Sequence, residues 1–303
     1  MVALVEGPVR VSVPATSANL GPGFDSLGLA LALHDELTAE VLPAGLEVEV
    51  TGGGEGEVPR DERHLVVRAM RAAFAALGAD PPGLRLACRN VVPHARGLGS
   101  SSAAIVGGIA LARALVADGA ARLDDEAAFR LAATLEGHPD NVAPAWYGGF
   151  VISGRDGVAD GDFYAVGAPV DPRVGVVVLV PPDPVATEVA RGLLPAAVPH
   201  AAAAADAGRT ALLVAALGGR TDQLLRGTRD FLHQAQRRPA MPATLDLVEA
   251  LRADGVPAVV SGAGPTVLAF TTAPGEADAL LARCPEGWAS HALAIDHDGV
   301  RLH

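Results

Sequence analysis

Residues 93–102 read Pro93-His-Ala-Arg-Gly97-Leu-Gly99-Ser-Ser-Ser102. They lie between a strand-like stretch, Leu84–Val91, and a small-residue stretch from Ser100 to about Ala117 that reads as a helix. A strand that ends in a glycine-rich turn and re-enters a helix through serines aims unpaired backbone N–H groups at one point. Those groups carry partial positive charge and favour an anion. Glycines allow the backbone to come close to it, and serine hydroxyls can donate to phosphate or ligate Mg²⁺. The loop is therefore a possible triphosphate cradle that needs no lysine. An ordinary strand–turn–helix with a serine cap accounts for the same residues, and the loop alone does not separate the two. Ser102 stands where a dinucleotide fingerprint needs its third glycine, and no Gly-x-Ser-x-Gly nucleophile elbow is present.

Three other segments hold chemistry-bearing residues. Pro14–Gly28 (Pro-Ala-Thr-Ser-Ala-Asn19-Leu-Gly-Pro-Gly-Phe-Asp25-Ser-Leu-Gly28) is dense in Gly, Pro and small polar residues. It predicts irregular backbone that presents Asn19 and Asp25, either to a polar ligand or to local turn bonds. Glu136-Gly-His138-Pro-Asp140-Asn141 packs two carboxylates, an imidazole and an amide directly behind a helix. That set suits acid–base or Mg²⁺ work, and equally a capped helix end. Ser261-Gly-Ala-Gly-Pro-Thr266 separates two apolar strands and also fits a tight hairpin.

Outward from these segments, strands are expected at Val9–Val13, Leu46–Thr51, Gly175–Val180, Val256–Ser261, Thr266–Thr271 and His291–Ile295. Helices are expected at Arg63–Leu77, Asp125–Leu135, Thr187–Leu194, Ala201–Leu217, Thr221–Gln236, Ala243–Ala253 and Glu276–Ala282. Gly154–Gly167, rich in Gly and Asp, reads as a boundary, and Asp296-His-Asp298-Gly299 as a turn. The mixture lacks a strict βα alternation, so the fold class is α+β.

Composition narrows the function. Among 303 residues, 23 are cationic and 35 anionic, giving −12. All the cations are arginine, and no lysine occurs. Walker A loops, protein-kinase strand lysines and Schiff-base enzymes are thereby excluded. No arginine run offers a nucleic-acid surface. Cys88 and Cys284 have no metal-ligand spacing, and neither a disulfide framework nor a zinc hydrolase is supported. The N-terminus lacks a signal-peptide pattern, and Arg113 interrupts the most apolar stretch, Ala103–Ala117. A cytoplasmic protein without membrane contact is expected.

The segments, in this order, resemble the GHMP small-molecule kinase superfamily and, more narrowly, its homoserine kinase family. Val13–Gly28 matches the N-terminal substrate motif, Pro93–Ser101 the phosphate loop and Ser261–Thr266 the C-terminal glycine turn. Thr16-Ser-Ala-Asn-Leu-Gly-Pro-Gly-Phe-Asp25 and His138-Pro-Asp-Asn-Val-Ala-Pro144 carry the homoserine kinase wording. The resemblance implies an N-terminal ribosomal-S5-like domain over 1–160 and a C-terminal ferredoxin-like domain over 161–303. It implies ATP and Mg²⁺ as cofactors and L-homoserine as the phosphoryl acceptor, with a homodimer possible. By position, Asn19, Asp25, His138, Arg191 and Arg237 line the amino-acid site. Pro93, Arg96, Gly97, Leu98, Gly99, Ser100, Ser101 and Ser102 form the nucleotide loop. Glu136 and Ser101 are the expected metal ligands, with Ser100 the alternative serine. Asn141 is expected to position the hydroxyl, and Asp140 either serves as base or supports the loop. Where the family has His-Glu-Pro-Tyr-Arg, this chain has His233-Gln-Ala-Gln-Arg237. A mevalonate-type kinase and a non-catalytic metabolite sensor on the same fold are the competing readings.

Overall fold

The computed structural model describes residues 2–158 and 160–303. Met1, in the N-terminal stretch read above, and Ala159, in the expected boundary, lie outside the described residues. Alternating side chains build a first sheet from β1 (Val9–Ala18), β2 (Leu27–Leu42), β3 (Gly45–Gly52), β4 (Gly83–Asn90), β5 (Phe150–Arg155) and β6 (Phe163–Ala168). The C-terminal β11 (Arg301–Leu302) returns to its edge, in the order β11-β1-β2-β4-β3, with β5 pairing β2 and β6. All pairs are antiparallel except β3 with β4. One face is covered by α1 (Leu65–Leu77), α2 (Ser100–Ala114), α3 (Gly119–Arg122), α4 (Asp125–Glu136) and α5 (Val142–Tyr147).

The second sheet contains β7 (Gly175–Val180), β8 (Ala258–Val260), β9 (Val267–Thr271) and β10 (Ala289–Leu293), all antiparallel in the order β10-β7-β9-β8. Between β7 and β8 run α6 (Thr187–Gly192), α7 (His200–Leu217), α8 (Leu224–Gly227) and α9 (Pro242–Ala253); α10 (Glu276–Leu281) joins β9 to β10. This βαββαβ path is ferredoxin-like, and the α+β class holds throughout.

Three expectations need correction. Pro14–Ala18 is strand, not irregular backbone. The β1–β2 register shifts between Pro14 and Ala15, so a bulge falls where proline brings no N–H to the ladder. Irregular backbone is confined to Asn19–Ser26, where Asn19, Leu20 and Asp25 adopt positive φ. Gly154–Gly167 is the body of the β5–β6 hairpin, with Arg155 set over the Phe163 ring at 3.9 Å. The expected division after residue 160 falls in its turn, and the second sheet begins only at Gly175. Finally, Thr221–Gln236 is not one helix. Asp230 accepts from the backbone N–H groups of Leu232, His233 and Gln234, and Asp206 from that of Phe231. Carboxylates that capture backbone donors compete with helix bonds.

One apolar cluster joins the two halves. Leu20, Leu27, Leu29 and Leu98 from the first pack with Val176, Leu213, Val259 and Phe270 from the second. The cleft beside this shared core therefore has walls from both sheets.

Candidate active site

A cavity of about 220 Å³ opens where the four sequence segments meet. Asn19, Gly97, Gly99, Ser100, Ser101, Glu136, His138, Asp140, Asn141, Arg191 and Arg237 all line it. Gly262 and Ala263 of the C-terminal glycine turn, and Thr187 of α6, complete the wall.

The loop before α2 is held from both sides. Leu98 is fully buried and its carbonyl accepts from the Thr16 N–H at 3.1 Å. Ser261 Oγ donates to the Gly97 carbonyl at 2.6 Å and is bonded to Ser17 Oγ at 2.8 Å. Both glycines have positive φ, and neither site admits a side chain. A Cβ on Gly97 would lie 2.3 Å from the Ser261 carbonyl, and one on Gly99 would lie 1.9 Å from Thr16 Oγ1. No side-chain cap closes the N-terminus of α2, which leaves it to an anion. Pro93, Arg96, Leu98 and Ser102 do not line the cavity, and neither does Asp25, whose partner Arg191 does. The Arg96 guanidinium bonds the carbonyls of His94, Pro181 and Pro182, tying the loop to the second half.

The Glu136 segment faces this helix start. Ser101 Oγ and Ser102 Oγ both donate to Glu136 Oε1, at 2.5 and 2.9 Å, and Ser100 does not. Hydroxyl and carboxylate oxygens of this kind suit a hard divalent cation. Asp140 is 1% exposed, and its Oδ1 accepts from the Asn141 N–H at 3.0 Å and faces His138 Nδ1 at 2.8 Å. Burial alone would depress the His138 pKa. The Asp140 hydrogen bond and charge, with Glu136 behind them, outweigh it, and the net shift is upward. Thr16 Oγ1 donates to Asn141 Oδ1 at 2.8 Å and fixes that amide.

The opposite wall is charged. Arg191 pairs with Asp25 through both guanidinium nitrogens, one at 3.0 Å. Burial works against the Arg191 charge, but the Asp25 bonds hold its pKa up. Arg237 is 2% exposed; Nη1 donates to the Gly262 carbonyl at 3.0 Å, and buried Nε has no partner. Among the described residues it makes no ion pair. Burial, then the Arg191 charge, push its pKa down. Its neighbour Arg238 instead turns outward to Asp246 and Glu249. Phe24 lies beneath both cleft arginines, 5.0 Å from Arg191 and 5.5 Å from Arg237.

A second cavity of about 300 Å³ shares Ser100 and Ser101 with the first and runs between Val58, Pro59, His64, Leu65 and His94. Buried His64 Nδ1 has no partner, and burial followed by the His94 charge lowers the His64 pKa. Sequence reasoning missed this cavity, together with Thr16, Phe24, Thr187 and Gly262. Thr16, Phe24 and Gly262 sit inside quoted motifs, so their position was a usable signal. His64 and His94 are separated by a strand and a helix, and no spacing rule joins them.

The chain is similar to known proteins. The GHMP kinases N terminal domain family matches residues 64–149, and the GHMP kinases C terminal family matches 204–290. The homoserine kinase of Streptomyces avermitilis is 53% identical over 294 residues, covering 97% of this chain and 95% of that protein. That of Clavibacter michiganensis is 50% identical over 296 residues, covering 96% and 92%. Among solved structures, the homoserine kinase of Cytophaga hutchinsonii aligns with a TM-score of 0.87 at 25% identity, over 100% of this chain and 99% of that one. Mevalonate kinase of L. major, in complex with R-mevalonate, aligns at 0.70 and 17% identity over 97% and 98%, a likeness of fold. With both family domains in chain order and identity above half across nearly the full length, the chain belongs to the GHMP kinases, in their homoserine kinase family.

Proposed function

We propose that this protein transfers the γ-phosphoryl group of ATP to the side-chain hydroxyl of L-homoserine, giving the O-phospho-L-homoserine used in L-threonine synthesis. One observation carries the choice of acceptor. Arg237 is a buried guanidinium with an open Nε and, among the described residues, no carboxylate partner, within reach of the charges of Arg191 and Asp25. A buried cation without a counter-ion is costly, and a substrate carboxylate relieves it. A zwitterionic amino acid also satisfies Asp25 through its ammonium. It exchanges the internal Asp25–Arg191 pair for two intermolecular ones. Mevalonate brings a carboxylate but no ammonium, and would leave Asp25 competing for Arg191.

With the carboxylate on the arginines, the substrate hydroxyl extends toward Asn141 and the start of α2. The triphosphate lies on the Gly97–Ser102 loop, and the nucleoside enters the second cavity, where His64 Nδ1 can meet a base edge. Glu136 with Ser101 would hold Mg²⁺, and Ser102 braces the same carboxylate oxygen. The ion's role is to neutralise phosphate charge. The hydroxyl oxygen forms a bond to phosphorus as the bond from the γ-phosphorus to the ADP oxygen breaks, and the hydroxyl proton leaves to a phosphate oxygen. Two donors on Asp140 Oδ1 favour its part as a support for the loop, with Asn141 aligning the hydroxyl. Alignment supplies most of the catalysis in a loose transition state.

The two halves divide in the linker between β6 and β7. A homodimer, testable by sedimentation, and a cytoplasmic setting complete the reading; the latter agrees with two unpaired cysteines. The decisive assay offers homoserine and mevalonate side by side with ATP and Mg²⁺ and follows phosphate transfer. Turnover of homoserine alone is expected. Preference for mevalonate, or no transfer to either, would overturn the assignment.

A further inference from the structure

We infer that His233 is a positioning residue for the amino-acid site, holding Phe24 as the platform on which Arg191 and Arg237 lie. The inference rests on the reading of the cleft as an amino-acid site. The His233 and Phe24 rings are stacked, with centroids 4.5 Å apart and planes within 12°. On Phe24 lie both cleft arginines, at 5.0 and 5.5 Å from the ring centre. Asp25, next in the chain, is bonded to Arg191. One ring thus contacts both substrate-facing cations and precedes the substrate-facing anion.

His233 is well placed to hold that ring because its own segment is rigid. Asp230 accepts from three successive backbone N–H groups and from His233 Nδ1 at 3.0 Å. Asp206 accepts from Phe231 N–H at 2.9 Å, and Gln234 Oε1 accepts from Val260 N–H in the second sheet. The same carboxylates that break the expected Thr221–Gln236 helix turn His233 toward Phe24 and send Arg237 into the cleft. On the other side, Thr210 Oγ1 of α7 donates to the Pro22 carbonyl at 2.9 Å. The Asn19–Ser26 loop belongs to the first half, yet its tip is gripped by the second. Stacking, with cation–ring contact beside it, gives a support that uses none of the guanidinium N–H groups, which in Arg191 bond Asp25 and in Arg237 bond the Gly262 carbonyl.

Two substitutions separate the ring from its hydrogen bond. His233→Phe keeps a stacked ring and loses the link to Asp230; His233→Asn keeps a donor for Asp230 and loses the stack. The homoserine KM should rise by about three- to tenfold in His233→Asn, the scale of one aromatic pair, and change less than twofold in His233→Phe. The ATP KM should hold in both. Phe24→Leu should raise the homoserine KM at least as much, because both arginine contacts go with the ring, and the double variant Phe24→Leu/His233→Asn should add little to Phe24→Leu alone. This cycle also decides the matter if His233→Phe does not fold. Equal effects of the two His233 variants, a rise confined to His233→Phe, additive losses in the cycle, or parallel rises in the ATP KM would overturn the inference. Wild-type enzyme measured alongside keeps the cases apart: if it does not phosphorylate homoserine, the functional reading itself has failed and this inference with it.

Discussion

Replacing Asp140 by Asn keeps the side chain's shape and removes its charge. The carboxylate is 1% exposed, and its Oδ1 is shared by the Asn141 N–H and His138 Nδ1, at 3.0 and 2.8 Å. If Asp140 were the general base, its loss would cost about 10²–10⁴-fold in kcat. In the arrangement described here it braces the loop, so kcat in Asp140→Asn should fall less than about tenfold. The larger effect is on stability, because a buried hydrogen bond between charged groups typically contributes about 1.5–3 kcal/mol. Its sign with pH follows from His138. The folded-state pKa of His138 is raised, so the pair's stabilisation is fully present below the ordinary histidine value of about 6.5. It is lost as pH rises through the raised value. Urea melts at about pH 5.5 and about pH 8.5 should therefore show a larger wild-type advantage over Asp140→Asn at the acidic end. Steady-state kinetics on the same preparations complete the test. A kcat loss of about a hundredfold or more, with the homoserine KM and the melts unchanged, would refute the brace and make Asp140 the base.

Three further outcomes are expected. Glu136→Gln should cut turnover severely and weaken the dependence on Mg²⁺ in a metal titration, because the carboxylate shared by Ser101 and Ser102 loses its charge. Arg237→Leu should raise the homoserine KM about ten- to a hundredfold with the ATP KM unchanged. Its melting temperature should hold or rise, since a buried cation without an ion-pair partner is removed. Gly99→Ala should weaken ATP binding in calorimetry and also lower the melting temperature, because the new Cβ meets Thr16 Oγ1 and breaks its bond to Asn141.

Much of the site was legible because its residues are local in sequence. The Gly97–Ser102 loop lies within one strand–turn–helix unit, and a glycine-rich entry to a helix start has the same anion chemistry wherever it occurs. Asp140 bonds both His138 and Asn141, all within four positions. Motif wording also placed Arg191 and Arg237, which are 46 residues apart and have no local pattern to join them. The second cavity was not legible, because His64 and His94 meet only through the packing of α1 and the loop after β4.

What the sequence determined by itself was the alternation and helical periodicity of many elements, the α+β class, the exclusion of lysine chemistry and the glycine-rich turn that enters α2. These depend on neighbouring residues and on short-range backbone geometry. Tertiary structure decided the rest. Pro14–Ala18 is strand because β2 accepts a bulge there, and the stretch after Gly154 is a hairpin because β2 offers an edge. Thr221–Gln236 breaks because Asp206, on α7, reaches Phe231 while Asp230 captures its own backbone. Arg237 rather than Arg238 enters the cleft because that break sets which side chain turns under Gly262. Each of these depends on a partner remote in the chain or on competition between local and long-range hydrogen bonds. A window of neighbouring residues contains neither quantity.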